Sequence, residues 1–254
     1  MNNLRIINGL LFQKNSSGIN EFEKLYISLR KKEGRIFNEK EIGRLPDVDS
    51  SHPHYKEWKI RKNSCNHLLK YIKKQGHICS ILEVGCGNGW LTAQLSAVTT
   101  GEVIGIDINS AELNLAKKVF RQKHNLSFLT GDICTGILAD KKFDLIVFAA
   151  SIQYFKSLKE IIKIALQYLT LQGEIHILDS HFYTQSEILP ASKRTKKYFS
   201  QLGFPCMSQF YFHHSLHELK SFNYTFLFNP RSWINKLLFR KKPFYWIVIK
   251  NHYT

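Results

Sequence analysis

The sequence has few cysteines, and their positions do not pair. Five cysteines occur in 254 residues, an odd number with no Cys-x-x-Cys pair. This pattern argues against a disulfide framework and a cysteine-based zinc site, and it favours reduced thiols in the cytoplasm. The chain also lacks an apolar run of the ~18 residues that a membrane-spanning helix needs. Residues 1–12 have no extended apolar core or small-residue cleavage site, so we expect no signal peptide.

Acidic residues are scarce relative to basic ones. The sequence has 36 Lys and Arg against 20 Asp and Glu, a formal net charge of +16. Residues 188–254 hold most of the excess, with eleven basic residues and a single acid, Glu218. This charge suggests an acidic partner, for which a carrier protein, an anionic membrane surface and RNA remain open. The clusters are Lys193-Arg194, Lys196-Lys197 and Arg240-Lys241-Lys242, and a plain solvated surface is the alternative for each.

The first part of the chain predicts an arm followed by helices. We expect a loose arm over residues 1–19, then a helix that Asn20 caps with Glu23 as its capping-box partner. A second amphipathic helix is predicted over residues 54–75, and Gly76 ends it. We therefore expect an N-terminal arm and helical extension over residues 1–75 and a second domain over residues 76–254.

From residue 76 the pattern alternates between strands and helices. Buried strands are predicted over residues 78–84, 102–107, 126–129, 143–149, 174–178, 222–228 and 244–250. Helices are predicted over residues 90–98, 110–124 (with Ser110 as the N-cap), 158–169 and 185–202. This alternation is typical of a parallel sheet with helices on both faces.

The most informative motif is a glycine loop between the first of these strands and the next helix. It reads Glu83-Val84-Gly85-Cys86-Gly87-Asn88-Gly89. Glycines let the backbone pass close under a ligand, at the strand end where doubly wound sheets bind ligands. The spacing is G-x-G-x-G, whereas dinucleotide-binding loops have G-x-G-x-x-G. An acid two residues before the first glycine also suits a cationic amino-acid group better than a pyrophosphate.

Four further motifs follow in order. They are Asp107 at the end of the second strand, Gly131-Asp132-Ile133 after the third, Phe143-Asp144-Leu145-Ile146-Val147, and Leu171-Gln172-Gly173-Glu174 before the fifth strand. With the glycine loop they resemble the class I S-adenosylmethionine (SAM)-dependent methyltransferases, over about residues 76–180 and the C-terminal strand pair. The resemblance implies an α/β fold: a Rossmann-like, doubly wound sheet of seven mostly parallel strands, with an antiparallel C-terminal strand.

The resemblance also implies SAM as the cofactor and assigns residues to it. The methionine end would lie at Glu83, Gly85, Cys86 and Gly87. Asp107 would accept hydrogen bonds from the ribose hydroxyls, Asp132 would bind the adenine amino group, and Ile108 and Ile133 would pack on the adenine. Ala149, Ala150 and Ser151 would form the floor beside the methyl group. Each acid has a structural alternative: Asp107 as a helix cap, Asp132 as a turn residue and Glu83 as a buried structural acid.

The sequence predicts methyl transfer to an oxygen, nitrogen or carbon atom of a small-molecule or lipid-like acceptor, which a carrier protein could present. Tyr154 and His181 are the catalytic candidates, since both follow strand ends on the substrate side. Tyr154 could equally be packed with its hydroxyl satisfied, and His181 could be a surface residue. We expect no metal, because Asp179 and His181 would supply two ligands and no third is visible. The alternatives are an RNA methyltransferase and a SAM-binding protein without catalysis.

Overall fold

A computed structural model describes residues 4–7, 10–13, 17–76, 80–233, 235 and 243–251. The strands β1 to β9 are, in chain order, Leu4–Ile7, Leu10–Gln13, Ile81–Val84, Val103–Asp107, Leu126–Thr130, Phe143–Ala149, Leu169–Leu178, Tyr224–Phe228 and Trp246–Lys250. The α-helices α1 to α7 are Ser17–Lys32, Glu39–Ile42, Tyr55–Gln75, Trp90–Ser96, Ser110–Phe120, Leu158–Gln167 and Gln185–Gln201. None of the described helices is both long enough and apolar enough to cross a membrane.

The strands form one mixed sheet in the order β1-β2-β5-β4-β3-β6-β7-β9-β8. The five strands from β5 to β7 in this order are parallel to one another. At the other end, β9 runs antiparallel to β7, and β8 runs antiparallel to β9. The chain steps outward from β3 in one direction through β4 and β5, and in the other through β6 and β7. The carboxyl ends of β3 and β6 therefore meet at the point where strand order reverses, which is where sheets of this kind bind ligands.

The predicted seven-stranded sheet with its antiparallel C-terminal strand is confirmed, and the N-terminal hairpin extends it. The arm expected to be irregular over residues 1–19 instead forms β1 and β2, which pair antiparallel. Strand β2 then pairs in parallel with β5, at Leu11 opposite Leu129. These strands come from short apolar segments that sequence inspection did not separate from a loose arm. The proposed division of the chain at residue 75 stays a prediction.

The core lies on both faces of the sheet, which explains why most residues of the central strands are apolar. On one face α3 packs its buried residues Trp58, Leu68 and Ile72 against Leu145 and Val147 of β6. On the other face α6 packs against residues of β6 and β7. The members of that cluster include Ile146, Phe148, Ile161, Ile162, Ile175 and Ile177. Helix α3 thus belongs to the same packed body as the sheet, which fixes its position beside the carboxyl ends of β3 and β7.

Two helix starts differ from the sequence prediction. Helix α1 begins at Ser17, so Asn20 lies inside it and does not cap it. Glu23, expected to complete that cap, instead accepts a 2.8 Å hydrogen bond from the Ser110 amide. Asn109 is the N-cap of α5 in place of Ser110, because its side chain accepts from the Glu112 amide. A short amide side chain in extended backbone is the better cap at this position.

Strand β7 is longer than predicted, and two other predicted features fall on residues that the structure does not describe. The predicted helix over 158–169 ends at Gln167, and β7 begins at Leu169. A register shift opposite residues 143–145 lets the segment before Glu174 continue the ladder. Residues 77–79, at the predicted start of the first strand of the second domain, lie outside the described residues. The basic cluster Arg240-Lys241-Lys242 lies outside them as well.

Candidate active site at the carboxyl ends of the strands

The glycine loop joins β3 to α4 and lies tightly against the end of β6. Gly85, Gly87 and Gly89 have φ angles of +74°, +54° and +74°, in the left-handed region. A β-carbon on Gly85 would lie 2.5 Å from the Ser151 Cβ, so only a residue without a side chain fits there. Ser151 donates a 2.6 Å hydrogen bond to the Val84 carbonyl, which ties the two strand ends together. The close approach lets the loop backbone itself form a wall of the cavities above it.

Asp107 ends β4 and holds both the glycine loop and the turn into α5. Its carboxylate accepts 2.8 Å hydrogen bonds from the Gly87 amide at Oδ2 and from the Asn109 amide at Oδ1. Burial raises the pKa of Asp107, and these amide bonds oppose the rise. Each carboxylate oxygen has a second lone pair, so Asp107 retains the capacity to accept from a ligand hydroxyl. Asp107 therefore organises the loop in addition to facing the cavity.

The first of three adjoining cavities, the Asp107 cavity, has a volume of about 280 Å³. Its lining includes Asp107, Ile108, Asp132 and Ile133, the residues that the sequence assigns to ribose and adenine. Asp132 accepts a 2.9 Å hydrogen bond from the Cys134 amide, so it also serves as a turn residue. Apolar walls together with two carboxylates suit a flat heterocycle joined to a hydroxylated ring.

Helix α1 roofs the Asp107 cavity, and the sequence analysis did not predict this. Phe22 and Tyr26 of α1 line the cavity together with Phe210. The rings of Phe22 and Phe210 meet edge to face with their centroids 5.2 Å apart. Glu23 anchors the helix, because its carboxylate accepts hydrogen bonds from the amide and hydroxyl of Ser110. The amphipathic pattern of α1 was visible in the sequence, but nothing local to it showed what its apolar face would cover.

The second cavity, the Glu83 cavity, lies beside the glycine loop and has a volume of about 100 Å³. Glu83 is 3% exposed and accepts a 2.6 Å hydrogen bond from the Thr92 hydroxyl. Burial raises the pKa of Glu83 to about 8 and that of Glu112 to about 7. Both carboxyl groups would gain from a cationic ligand, which would offset the cost of charging them in a buried site. Cys86, the buried thiol assigned to the same subsite, also lines this cavity.

Two strand ends carry backbone conformations that side-chain-bearing residues rarely adopt. Ala150, directly after β6, has φ +54°, and Asp179, directly after β7, has φ +52°. Such conformations cost about 1–3 kcal/mol each and concentrate at functional sites. Asp179 accepts a 2.6 Å hydrogen bond from the Ser64 hydroxyl of α3, and burial raises its pKa to about 6. Ala150 lines all three cavities, which makes it the point at which they meet.

The third cavity, the His181 cavity, opens on the other side of Ala150 with a volume of about 360 Å³. Both catalytic candidates, Tyr154 and His181, line it. The Tyr154 hydroxyl accepts a 2.8 Å hydrogen bond from Arg30 Nη2, so this hydroxyl is satisfied by packing within the protein. The His181 ring contacts the Phe244 ring at 4.6 Å between centroids, and desolvation lowers the pKa of His181. The catalytic roles of Tyr154 and His181 stay predictions.

Three arginines between the Glu83 and His181 cavities are held in place by two glutamates. Arg30 donates to Glu33 at 2.7 Å. Arg35 and Arg61 both bind Glu57, at 2.6 Å and 2.8 Å. These guanidinium groups hold the pKa of Glu57 down, to about 2. Sequence inspection did not identify Arg30 and Arg35 as site residues, because Arg30 contacts Tyr154 and Arg35 contacts Glu57, which lie 124 and 22 positions further along the chain.

The structure brings together the residues that the sequence assigned to a cofactor. Those that line the Asp107 or Glu83 cavity are Glu83, Gly85, Cys86, Gly87, Asp107, Ile108, Asp132, Ile133, Ala149 and Ala150. Residues that the sequence missed include Phe22, Arg30 and Glu112, and Asp179 was considered there only as a metal ligand. Within the part of the chain that the structure describes, no three His, Cys, Asp or Glu side chains are placed to hold a metal ion.

The strand order, the glycine loop and the acid at the end of β4 define a class I methyltransferase architecture. Residues 75–237 match the family described as a methyltransferase domain. The match covers more than half of the chain, so the protein belongs to this family and the resemblance seen in the sequence is confirmed.

The curated relatives are also named as methyltransferases, but their similarity extends over part of this chain. The protein is 33% identical over 119 residues to a malonyl-[acyl-carrier protein] O-methyltransferase of Priestia megaterium, which covers 46% of this chain and 43% of the relative. This chain thus spans less than half the length of that relative.

Solved structures extend the similarity over nearly the whole chain at the level of the fold. Magnesium protoporphyrin IX methyltransferase from Synechocystis, with bound S-adenosylhomocysteine (SAH), has a TM-score of 0.57 at 12% identity, covering 91% of this chain and 97% of that one. A plantazolicin methyltransferase in complex with SAH and a monoazolic desmethylPZN analog has a TM-score of 0.52 at 16% identity, covering 92% of this chain and 99% of that one. At these identities the similarity shows the fold alone.

Proposed function

We propose that this protein transfers the methyl group of SAM to a small-molecule or lipid-like acceptor, including one presented by a carrier protein. The observation that carries the proposal is the meeting of three cavities at Ala150. One has apolar walls and carboxylates suited to a nucleoside, one has buried acids and arginines suited to an amino acid, and the third is free for an acceptor. A methyl donor spanning the first two would present its methyl group toward the third.

The residues present fit SAM on three grounds. The Gly85 backbone lies where a β-carbon would collide with Ser151, so it can pass directly under a ligand. Asp107 keeps free acceptor capacity for ribose hydroxyls. Glu83 and Glu112, with pKa values raised by burial, suit the ammonium group of the methionine part, and the nearby arginines suit its carboxylate.

When bound, SAM supplies a sulfonium whose methyl carbon is already a strong electrophile. The protein therefore needs to align the acceptor and exclude water, which can contribute several kcal/mol of barrier lowering. The roof of Phe22, Tyr26 and Phe210 would shield the cofactor from solvent on one side. An acceptor in the His181 cavity would approach over Ala150. For an acceptor that carries a proton, we propose Tyr154 or His181 as the group that removes or positions it.

We also propose that the basic face of α7 receives an acidic partner that presents the acceptor. Lys193, Lys196 and Lys197 are exposed on this helix. Residues Arg194, Thr195 and Tyr198 of the same helix line the His181 cavity, so a partner bound there would lie beside its opening. A carrier protein is favoured because a relative is named for acting on one. A cytoplasmic location remains part of the proposal, supported by the free thiols of the described cysteines.

The proposal is tested by a transfer assay with SAM labelled in its methyl group. The purified protein is incubated with separated small-molecule, lipid, acyl-carrier-protein and RNA fractions, and the label in each fraction is counted. Label in a small-molecule, lipid or carrier fraction supports the proposal. Label confined to RNA would replace it with the RNA alternative. Tight SAH binding with no label in any fraction would leave a SAM-binding protein without catalysis.

A further inference from the structure

The His181 cavity, proposed above as the acceptor site, is lined by more guanidinium groups than carboxyl groups. Arg30, Arg35, Arg61 and Arg194 line it, against Glu33, Glu57 and Asp179. His181 adds no charge near neutral pH, since its pKa is lowered by desolvation. The cavity therefore carries net positive charge even with Asp179 fully ionised. A sulfonium bound beside Ala150 would add a further positive charge at the edge of the same space.

Three of these arginines are committed to partners and to the neighbouring cavity. Arg30, Arg35 and Arg61 bind Glu33 or Glu57, and all three also line the Glu83 cavity. They are therefore placed to serve the carboxylate of the methionine part as well as the acceptor. Arg35 Nε is buried and makes no hydrogen bond among the described residues, although Glu33 Oε2 lies 3.5 Å from it as an ion-pair partner. A ligand oxygen that accepted a hydrogen bond from this buried donor would therefore be stabilising.

Arg194 differs from the other three arginines. It lies on α7, lines the His181 cavity and does not line the Glu83 cavity. No carboxylate within the described chain lies within ion-pair distance of it. Its neighbours in the cavity wall are already engaged: the Thr195 hydroxyl bonds His213 at 2.9 Å, and the Tyr198 hydroxyl donates to Glu33. Arg194 is thus a guanidinium that is free to bind a ligand at the mouth of the acceptor site.

We propose that the acceptor carries a carboxylate group, and that this group binds in the His181 cavity with Arg194 as its specific partner. The planar guanidinium can donate two parallel hydrogen bonds to a carboxylate, which gives orientation as well as affinity. A monoanion matches the small positive excess of the cavity. Phe199, Tyr211 and Phe244 form apolar walls on the same cavity, so the remainder of the acceptor would be apolar or aromatic. This inference rests on the proposed function, because it takes the cavity to be the acceptor site.

The test compares carboxylic acids with their primary amides, which have the same shape without the charge. The SAH-saturated protein is titrated by calorimetry with phenylpropionate and phenylpropionamide, and then with the N-acetylcysteamine thioesters of succinate and succinamate. We expect each acid to bind at least about tenfold more tightly than its amide, as a charge-assisted pair implies. Arg194→Gln should reduce that ratio to about threefold or less. Lys220→Gln, an exposed change of the same kind outside the three cavities and outside the basic face of α7, should leave it unchanged.

The outcomes separate this inference from the proposed function. If SAH itself does not bind the folded protein, the proposed function fails. If SAH binds but acids bind no better than amides, or no acid binds at millimolar concentration, the carboxylate inference is wrong and the proposed function stands. If the preference for acids survives in Arg194→Gln with unchanged SAH affinity, Arg194 is not the partner and the site assignment is overturned.

Discussion

Substitution of Gly85 by alanine tests whether the glycine loop is held against β6 as tightly as the structure indicates. The residue has φ +74°, and an added β-carbon would lie 2.5 Å from the Ser151 Cβ. The left-handed conformation costs an L-residue about 1–2 kcal/mol. Carbon atoms pack best at about 3.5–4.0 Å, so the contact is about 1 Å too close, and relieving such overlap costs a further ~1–3 kcal/mol. Gly85→Ala should therefore lower the free energy of unfolding by about 2–5 kcal/mol.

Gly34→Ala is the matched control for this experiment. Gly34 has φ +67°, and nothing lies within 4 Å of the β-carbon that an alanine would add. It should show the conformational cost without the collision, about 1–2 kcal/mol. Urea unfolding measures the free energy of unfolding of both variants. In thermal unfolding, the Tm of Gly85→Ala should be roughly 2–12 °C lower than that of the control. Calorimetry should also show weaker SAH binding in Gly85→Ala alone. Equal destabilisation of the two variants, with equal SAH affinity, would refute the reasoning.

Three further substitutions test the groups around the loop. Asp107→Asn leaves one oxygen for the amides of Gly87 and Asn109, so we expect a loss of about 1–3 kcal/mol of stability and weaker SAH binding, measured by unfolding and calorimetry. Unchanged values of both would contradict this. Glu83 has its pKa raised to about 8, so if it must ionise beside a cationic group, SAM affinity should rise from pH 6 to 8 by up to about tenfold per pH unit. Glu83→Gln should remove that component, and an identical pH profile would argue against the contact. Tyr154→Phe removes the acceptor of the Arg30 hydrogen bond and should cost about 1 kcal/mol of stability; a larger loss in turnover than in stability would support catalysis, and an unchanged rate would argue against it.

Much of the sheet could be predicted because its strands are apolar on both faces. The prediction for β6, residues 143–149, matches the structure at both ends, since all of its apolar residues pack in the clusters on one face or the other. The end of β7 was predicted, whereas its start was not. Residues 169–173 read as a helix end followed by a glycine turn, and only the neighbouring strand shows that the ladder begins there. The local sequence pattern thus identifies buried strands more reliably than it defines the residues at which they begin and end.

In the candidate site, likewise, residues of local motifs could be predicted from the sequence, whereas residues brought in by distant contacts could not. The glycine loop and Asp107 form a motif whose spacing is set by one strand–loop–helix unit, so the sequence shows them directly. Arg30 and Asp179 belong to the site because α1 and α3 pack across the strand ends. Contacts such as Glu23 with Ser110, separated by 87 positions, leave no periodic signal. The sequence alone therefore identifies residues that line the Asp107 and Glu83 cavities, whereas of the side chains around the His181 cavity it proposed only Tyr154 and His181 for a role in catalysis.

Calorimetric titration of the purified protein with SAM, SAH and NAD tests the central claim most directly, because the account depends on the Asp107 and Glu83 cavities forming one cofactor site. The account predicts micromolar binding of SAM and SAH, one molecule per chain, with no detectable NAD binding. Folded protein that binds NAD, or that binds neither sulfur compound, would contradict it.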